Sequence, residues 1–291
     1  MTLFSAAVVQ CVSDYLDPVA NARRTVSRIA DASQSGARLI VLPELVSTSY
    51  APTAVGLMDV AESVSDPGPC LSAWQSAAKD HGVVIVAGFT ERVKDSLFNS
   101  AVVIDESGAI RDVYRKLHLF GAEHEAFQPG NRGLPIVEVL GTRLGVAVCY
   151  DLRFPETLRI LALRGCEVVA VPTAWVRGFD RKAVDSGRIG QVDGAVVQAN
   201  LNQLFLVIAD QVGSIESTEF LGRSLIVDPY GQELLPVMSA QSEGIGLAQI
   251  DTGLVETARH RGPGIDPLVN RRTDVYAEDL GYHHPKGELA R

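Results

Sequence analysis

Short apolar segments alternate with helical patterns along this chain, and that alternation limits the possible folds more than any other feature. Runs typical of buried strands cover residues 4–11, 38–42 and 83–87. Asp17 and Pro18 mark the start of an intervening helix, because aspartate is a good N-cap and proline fits the first helical position. A second helix is predicted at about 69–80. The strand–helix–strand order predicts βαβ units with parallel strands.

Two hairpins add antiparallel pairs to this pattern. Strands near 98–104 and 109–114 are joined by the turn-forming segment Asp105–Gly108, and strands near 136–139 and 143–148 are separated by Gly141 and Thr142. Similar elements follow: a helix opening at Phe154–Glu156, a strand at Val168–Val171, a helix at 187–202, and strands at Leu204–Ile208, Ser224–Val227 and Gly246–Ile250. Together they predict an α/β fold with mixed sheets covered by helices.

No linker, repeat or low-complexity segment divides the chain, so residues 1–291 are predicted to form a single domain. The stretch from about 261 contains Gly262, Pro263, Gly264 and Pro267, and these residue types favour irregular structure. We expect this stretch to form an arm that packs on a partner subunit.

Charge and cysteine content argue against several functional classes. The formal net charge is −9, which disfavours nucleic acid and anionic membrane surfaces as partners. No apolar run approaches the ~18 residues that span a bilayer, and the N-terminus lacks the basic start of a signal peptide. The four cysteines are widely spaced and form no disulfide framework in sequence. We therefore expect a cytoplasmic, reduced protein.

Potentially reactive side chains follow several of the predicted strands. Glu44 comes after Leu-Ile-Val-Leu-Pro, Lys116 after Val-Tyr-Arg, and Cys149 after Gly-Val-Ala-Val. Trp175 has a similar position after Val-Ala-Val-Pro-Thr-Ala. Because reactive groups in α/β sheets collect beyond the carboxyl ends of strands, we expect these residues to converge on one pocket.

These three residue types suit nucleophilic catalysis. A free thiol of pKa ~8.5 is only a few per cent thiolate near neutrality, so Cys149 needs a base or a cation nearby. Glu44 beside apolar Leu45 would have a raised pKa, which suits a general base, and Lys116 would stabilise an oxyanion. Taken singly, the three residues also fit a buried structural thiol, a helix-capping glutamate and a surface lysine.

A cysteine–histidine pair on another fold is an open alternative at this point. His118 and His124 are nearest to the lysine segment, but neither follows a strand as Cys149 does. No cluster of histidine, cysteine and aspartate has zinc-like spacing, and a glycine-rich phosphate loop is missing. The sequence therefore gives little support for a metal site or a nucleotide site.

The order and context of these segments resemble the nitrilase (carbon–nitrogen hydrolase) superfamily. The resemblance rests on Leu-Pro-Glu44, on Tyr-Arg-Lys116-Leu-His-Leu and on Val-Cys149-Tyr-Asp-Leu-Arg-Phe-Pro-Glu156, and it extends over roughly residues 4–276. It implies a four-layer αββα sandwich without metal or cofactor. Two such units commonly pair, so the resemblance also implies a homodimer or a higher homo-oligomer.

The resemblance implies a role for each site residue. Glu44 would take the thiol proton while Cys149 attacks the amide carbon, and Lys116 with the backbone N–H of Tyr150 would stabilise the oxyanion. After ammonia leaves, Glu44 would activate water to hydrolyse the thioester. The family's second glutamate, which positions the substrate, fits Glu123 best, with Glu125 as the alternative.

The segment around Cys149 resembles the Nit and omega-amidase-like branch, which implies hydrolysis of a small carboxamide to an acid and ammonia. Tyr50 and Trp175 would form apolar walls of the pocket, and Arg177 would meet an acidic end of the substrate. The alternatives are hydrolysis of N-carbamoyl groups, hydrolysis of nitriles, and a catalytically silent binding or assembly module that kept the fold.

Overall fold

The computed structural model describes residues 1–53, 55–178, 189–215, 217–276 and 279–280. The strands are β1 (Leu3–Gln10), β2 (Leu39–Val41), β3 (Val84–Val93), β4 (Ser96–Ile104), β5 (Ile110–Arg115), β6 (Ile136–Val139), β7 (Thr142–Val146), β8 (Val168–Pro172), β9 (Phe205–Ala209), β10 (Ser214–Ile215), β11 (Thr218–Glu219), β12 (Leu225–Val227), β13 (Glu233–Leu235) and β14 (Gly244–Asp251). The helices are α1 (Pro18–Gln34), α2 (Leu57–Val60), α3 (Pro69–His81), α4 (Glu123–Ala126), α5 (Pro155–Leu163), α6 (Gly190–Asn202), α7 (Gly253–Arg259) and α8 (Thr273–Tyr276), with a 3₁₀ helix at Cys149–Arg153.

Twelve of these strands form two six-stranded sheets. The first sheet has the order β14-β1-β2-β3-β4-β5 and the second the order β13-β12-β9-β8-β7-β6. In each sheet three central strands are parallel, β1 to β3 in the first and β7 to β9 in the second, and the flanking strands pair antiparallel. Strand β1 pairs along its whole length with β14, from Leu3 opposite Asp251 to Gln10 opposite Gly244.

The alternation of side chains along β1 shows how the layers pack. Ala6 and Val8 belong to the core that contains β7, β8 and the apolar faces of α5 and α6, whereas Ala7 and Val9 face a second core shared with α1 and α3. Successive side chains of a strand point to opposite faces, so β1 is buried on both sides. Helices therefore cover the outer face of each sheet, and the predicted αββα sandwich is confirmed.

Most predicted elements lie within a few residues of their observed bounds. Asp17 caps α1 as predicted, with its side chain 2.9 Å from the backbone nitrogen of Ala20. The predicted helix at 187–202 corresponds to α6, and residues 187–188 lie outside the described residues. Short or partly exposed elements such as β13 and α7 were not predicted, because an apolar period is hard to recognise over three to seven residues.

A glycine in β3 allows the segment after β2 to cross the sheet closely. A β-carbon on Gly88 would lie 2.5 Å from the carbonyl oxygen of Pro43 and 2.6 Å from Cα of Glu44. The backbone N–H of Gly88 also donates to that carbonyl over 3.1 Å. Glu44 can therefore hold its position only while residue 88 has no side chain.

We expect Gly88→Ala to destabilise the protein by about 1–3 kcal/mol, because the added methyl group overlaps backbone atoms that cannot rotate away. The measurement is urea unfolding of the variant and of Gly194→Ala. Gly194 lies in α6, where a β-carbon would meet nothing within 4 Å and the backbone is not left-handed, so alanine at that position should cost no stability. Equal losses in the two variants would contradict the close-approach interpretation.

Candidate active site

A lysine and two glutamates form a buried ionic cluster beside the ends of β2 and β5. The Nζ atom of Lys116 lies 2.7 Å from Oε1 of Glu44 and 2.7 Å from Oε1 of Glu123. All three side chains are shielded from solvent. Glu44 follows β2, Lys116 follows β5, and Glu123 opens α4. The structure thus brings Glu44 and Lys116 together as predicted, and of the two loop glutamates it places Glu123 beside the lysine, whereas Glu125 is exposed.

Further hydrogen bonds hold the two carboxylates in place. Asn99 donates from Nδ2 to Oε1 of Glu44 over 2.8 Å, and the hydroxyl of Tyr50 donates to Oε1 of Glu123 over 2.8 Å. The other oxygen of Glu44, Oε2, is buried and has no hydrogen-bond partner within the described residues. Glu44 therefore keeps one acceptor available for a substrate, a water molecule or a thiol.

Cys149 stands on a strained turn after β7, where the 3₁₀ helix begins. Its φ is 46°, in the left-handed region, which costs a residue other than glycine about 1–3 kcal/mol and occurs most often at functional sites. Cys149 is the only one of the four cysteines that is not fully buried. Its sulfur accepts a hydrogen bond from the backbone N–H of Ala174.

Burial and a neighbouring carboxylate keep the thiol of Cys149 protonated. Burial raises the pKa of the Cys149 thiol well above its ordinary value, Glu44 adds to the rise, and Lys116 only partly opposes it. Burial likewise raises the pKa of Glu44, against the attraction of Lys116. For Lys116 burial works the other way, but the two carboxylates outweigh it and raise the pKa. The site therefore combines a neutral thiol, a carboxyl that binds a proton readily and a fixed cation.

Cys149 opens onto a small cavity of about 30 Å³. Tyr150 and Trp175 belong to its wall, as predicted for pocket residues. Its complete lining within the described residues is Phe120, Cys149, Tyr150, Leu152, Arg153, Ala174, Trp175, Val176, Gln191, Gly194 and Ala195.

Tyr50 and Arg177, which were both expected near the substrate, are not part of the lining of the small cavity. Tyr50 lines a neighbouring cavity of about 480 Å³, which shares Phe120 and Val176 with the smaller one, and it reaches the ionic cluster only through its hydroxyl. Arg177 is paired with Glu219 over 2.7 Å and does not line the small cavity. The positive side chain in the wall of the small cavity is instead Arg153.

The other cysteines and the nearest histidine have different environments. Cys11, Cys70 and Cys166 are fully buried, and burial raises the pKa of Cys11 and of Cys166 to about 12. His118 contacts Asp151, with 2.8 Å between Nδ1 and Oδ1, and does not line the cavity at Cys149. These contacts favour a glutamate rather than a histidine as the partner of Cys149.

Several residues of the site carried no strong signal in the sequence. Asn99 is a buried amide in β4, beside the buried hydroxyl of Ser100, and an unexplained polar residue in a buried strand is the one hint available. The backbone N–H of Ala174 and the side chain of Asp151 act through contacts that only the folded chain creates. Within the described ranges, no group of three or more His, Cys, Asp and Glu side chains is arranged to hold a metal ion. The same ranges contain no helix with the length and apolar character that a bilayer span requires.

The chain is similar to known proteins over most of its length. The carbon-nitrogen hydrolase family model matches residues 5–260. A nitrilase of Pyrococcus abyssi is 36% identical over 275 residues, covering 94% of this chain and 99% of the relative. A 2-oxoglutaramate amidase of Bacillus subtilis is 32% identical, covering 82% and 87% respectively.

A solved structure matches along almost the whole chain. An amidase from Nesterenkonia sp. AN1 superposes with a TM-score of 0.80 at 27% identity, covering 95% of this chain and 97% of the other. That structure carries the acetamide moiety of fluoroacetamide covalently attached to the active-site cysteine. The chain described here belongs to the carbon–nitrogen hydrolase family, within the nitrilase superfamily, and is an amide-hydrolysing enzyme.

Proposed function

We propose that this enzyme is a cysteine-dependent amidase that converts a small carboxamide into a carboxylic acid and ammonia through a thioester on Cys149. The observation that carries the proposal is the buried Glu44–Lys116–Glu123 cluster. It leaves one oxygen of Glu44 unbonded within the described residues, and the charge of Glu44 acts on Cys149, which lines a cavity. In a glutamate-to-glutamine variant of the Nesterenkonia amidase, the acetamide moiety of fluoroacetamide is attached to the active-site cysteine, which supports a nucleophilic role for the cysteine.

In the proposed acylation step, the sulfur of Cys149 attacks the amide carbon while its proton passes to Glu44. A proton acceptor is required because the thiol stays neutral near pH 7. The carbonyl oxygen becomes an oxyanion between the ammonium of Lys116 and the backbone N–H of Tyr150. Glu44 then returns the proton to the amide nitrogen, the carbon–nitrogen bond breaks, and ammonia leaves.

In the proposed deacylation step, water attacks the thioester and Glu44 accepts one of its protons. The carbon–sulfur bond breaks, the acid leaves, and the proton returns to the sulfur, so that the enzyme regains its starting state. Glu123 holds Lys116 together with Glu44, because its Oε1 accepts a hydrogen bond from the lysine ammonium. Its Oε2 accepts the backbone N–H of Phe120, a residue that lines the cavity. We assign to Glu123 the positioning of the lysine and of the substrate amide.

The cavities beside Cys149 indicate an aliphatic acyl chain. The wall of the small cavity is mainly apolar and includes Trp175 and Tyr150, with the polar side chains of Arg153 and Gln191 as exceptions. A volume of about 30 Å³ is less than an acyl chain fills, so the substrate would also enter the neighbouring cavity of about 480 Å³, which shares part of the same wall. The proposed substrates are small aliphatic amides and, because a 2-oxoglutaramate amidase is among the relatives, the omega-amides of short dicarboxylic acids.

We also propose that the enzyme forms a homodimer through the outer helix layer of the second sheet. Helices α5 and α6 pack together and expose four apolar side chains, each between 43% and 53% accessible: Ile160, Leu163, Val197 and Leu201. A contiguous apolar surface on a helix pair is typical of an interface between subunits.

We expect Cys149→Ala to lower ammonia release by at least about 10³-fold while the fold is kept, because no other group can form the thioester. The measurement is ammonia production from short aliphatic amides and omega-amides, with circular dichroism to check folding. Glu125→Gln is the matched control, since its exposed side chain should leave the rate unchanged. Full activity in Cys149→Ala would exclude the mechanism.

The same assays distinguish the other candidate reactions. Carbon dioxide released together with ammonia would identify N-carbamoyl substrates, and turnover of a nitrile but not of its amide would identify a nitrilase. A binding module without catalysis would leave Cys149 no more reactive towards iodoacetamide than a free thiol.

We expect kcat/KM to decrease on acidification with a midpoint above 4.5, the ordinary value for glutamate, because the pKa of Glu44 is raised and only its ionised form accepts the thiol proton. Because Glu44, Lys116 and Glu123 interact closely, the midpoint of the pH profile is a property of the whole cluster and not of Glu44 alone. The measurement is a pH–rate profile from about pH 4 to about pH 9. A rate that rises only near the ordinary thiol pKa would instead indicate attack by a preformed thiolate.

We expect Leu201→Glu to convert the dimer into monomers, because burying an unpaired carboxylate at the interface is costly. Analytical ultracentrifugation measures the change. Val19→Glu on α1, in the opposite outer layer and 46% accessible, is the control and should remain dimeric. A monomeric wild-type enzyme, or a Leu201→Glu variant that stays dimeric, would refute this interface.

A further inference from the structure

One buried carboxylate outside the ionic cluster connects the lysine segment with the cysteine turn. Asp151 lies in the 3₁₀ helix that begins at Cys149, and its side chain is completely buried. It does not line the small cavity. A buried carboxylate that touches no substrate needs another explanation, and its four hydrogen bonds supply one.

The first oxygen of this carboxylate, Oδ2, joins β5 to the turn. It accepts the hydroxyl of Tyr114 over 2.6 Å and the backbone N–H of Val148 over 2.9 Å. Burial raises the pKa of Tyr114 well above its ordinary value, and Asp151 adds to the rise, so the phenol remains a donor. Val148 directly precedes Cys149, so this bond acts on the backbone that carries the nucleophile.

The second oxygen, Oδ1, contacts His118, which follows Lys116 by two residues. It lies 3.2 Å from the backbone nitrogen of His118 and 2.8 Å from Nδ1 of the same residue. The His118 ring also stacks on Phe154, with 3.5 Å between ring centroids and 9° between planes. Phe154 ends the 3₁₀ helix, so the ring stack is a second contact between the same two segments.

These contacts lie on both sides of Lys116 and directly before Cys149 in the chain. Tyr114 and His118 stand two residues before and two residues after Lys116, and Val148 stands one residue before Cys149. We propose that Asp151 is a positioning residue that fixes the cysteine turn against the lysine segment. The two proposed oxyanion donors, the Lys116 ammonium and the Tyr150 N–H, belong to these two segments, so Asp151 would set the distance between them.

The inference rests on the proposed function, because it assigns Asp151 a part in the geometry of that reaction. The strained φ of Cys149 makes the contact necessary, since such a conformation persists only where surrounding interactions fix it. A shift of about 1 Å between reacting groups can lower a rate by about 10²-fold even when binding is unchanged.

The test is Asp151→Asn, which keeps the shape of the side chain. In either orientation its amide group faces a backbone N–H, that of Val148 or that of His118, so one of these bonds is lost. We expect kcat on a short amide to decrease by about 10²-fold, with KM changed less than about threefold. Alkylation of Cys149 by iodoacetamide should slow as well.

Asp105→Asn is the matched control. The Asp105 side chain accepts hydrogen bonds from Ser107, Ala109 and Arg111 in the turn between β4 and β5. Its replacement removes a comparably bonded carboxylate far along the chain from the cysteine turn. We expect this variant to melt at a lower temperature but to keep the wild-type kcat.

Tyr114→Phe provides a milder change if Asp151→Asn does not fold. It removes a single hydrogen bond to Oδ2, and we expect kcat to decrease by about tenfold at an unchanged KM. The proposal is overturned if kcat of the folded variant lies within twofold of the wild type. It is also overturned if Asp105→Asn loses kcat as severely, because the effect would then follow stability alone.

The inactive variant Cys149→Ala separates this inference from the proposed function. An active Cys149→Ala would refute the thioester mechanism itself. An inactive Cys149→Ala together with a fully active Asp151→Asn would refute only the positioning role.

Discussion

The fold of this enzyme is organised around an ammonium group held between two carboxylates without access to water. Moving such charges out of water costs several kcal/mol per ion, and the cost is offset only when the partners are fixed in good geometry. Lys116, Glu44 and Glu123 meet this condition because the segments that follow β2 and β5 come together with the first residue of α4. The cluster carries one positive charge and two acidic groups, so it binds a further proton readily. This excess of acidic groups makes the site suitable for moving protons.

The two sheets contribute different parts of the site. The ionic cluster lies at the end of the first sheet, whereas Cys149 follows a strand of the second. Two hydrogen bonds to the backbone of Glu44 hold the halves together. The N–H of Glu44 donates to the carbonyl of Thr173 over 3.1 Å, and the side chain of Gln211 donates from Nε2 to the carbonyl of Glu44 over 2.8 Å. The distance between thiol and carboxylate therefore depends on how closely the sheets pack. A small change in the packing between the two sheets would therefore move the reacting groups relative to each other, because close-packed interiors transmit strain.

Strand ends allowed the sequence to predict much of the site. Glu44, Lys116 and Cys149 each follow an apolar run, and the structure gathers all three, while family resemblance favoured the glutamate that contacts the lysine. Tyr50 was harder to place, because its ring lines one cavity while its hydroxyl reaches the ionic cluster. Asp151 and Asn99 were missed because the side chains they contact in other elements are 33 to 55 residues away in sequence. Contacts of that kind follow from packing and have no local pattern.

The pairing of β1 with β14 has a consequence for how the protein is made. Strand β1 is synthesised before every other strand of its sheet, yet the strand that covers its outer edge begins at Gly244. Until β14 has been made, β1 presents unpaired backbone groups on an apolar strand, which is the kind of edge that other chains can join. Such long-range pairing also slows folding, since the loop must close before the contact forms. The first sheet can therefore be completed only after the last of its six strands has left the ribosome, and the edge of β1 stays open to other partners until then.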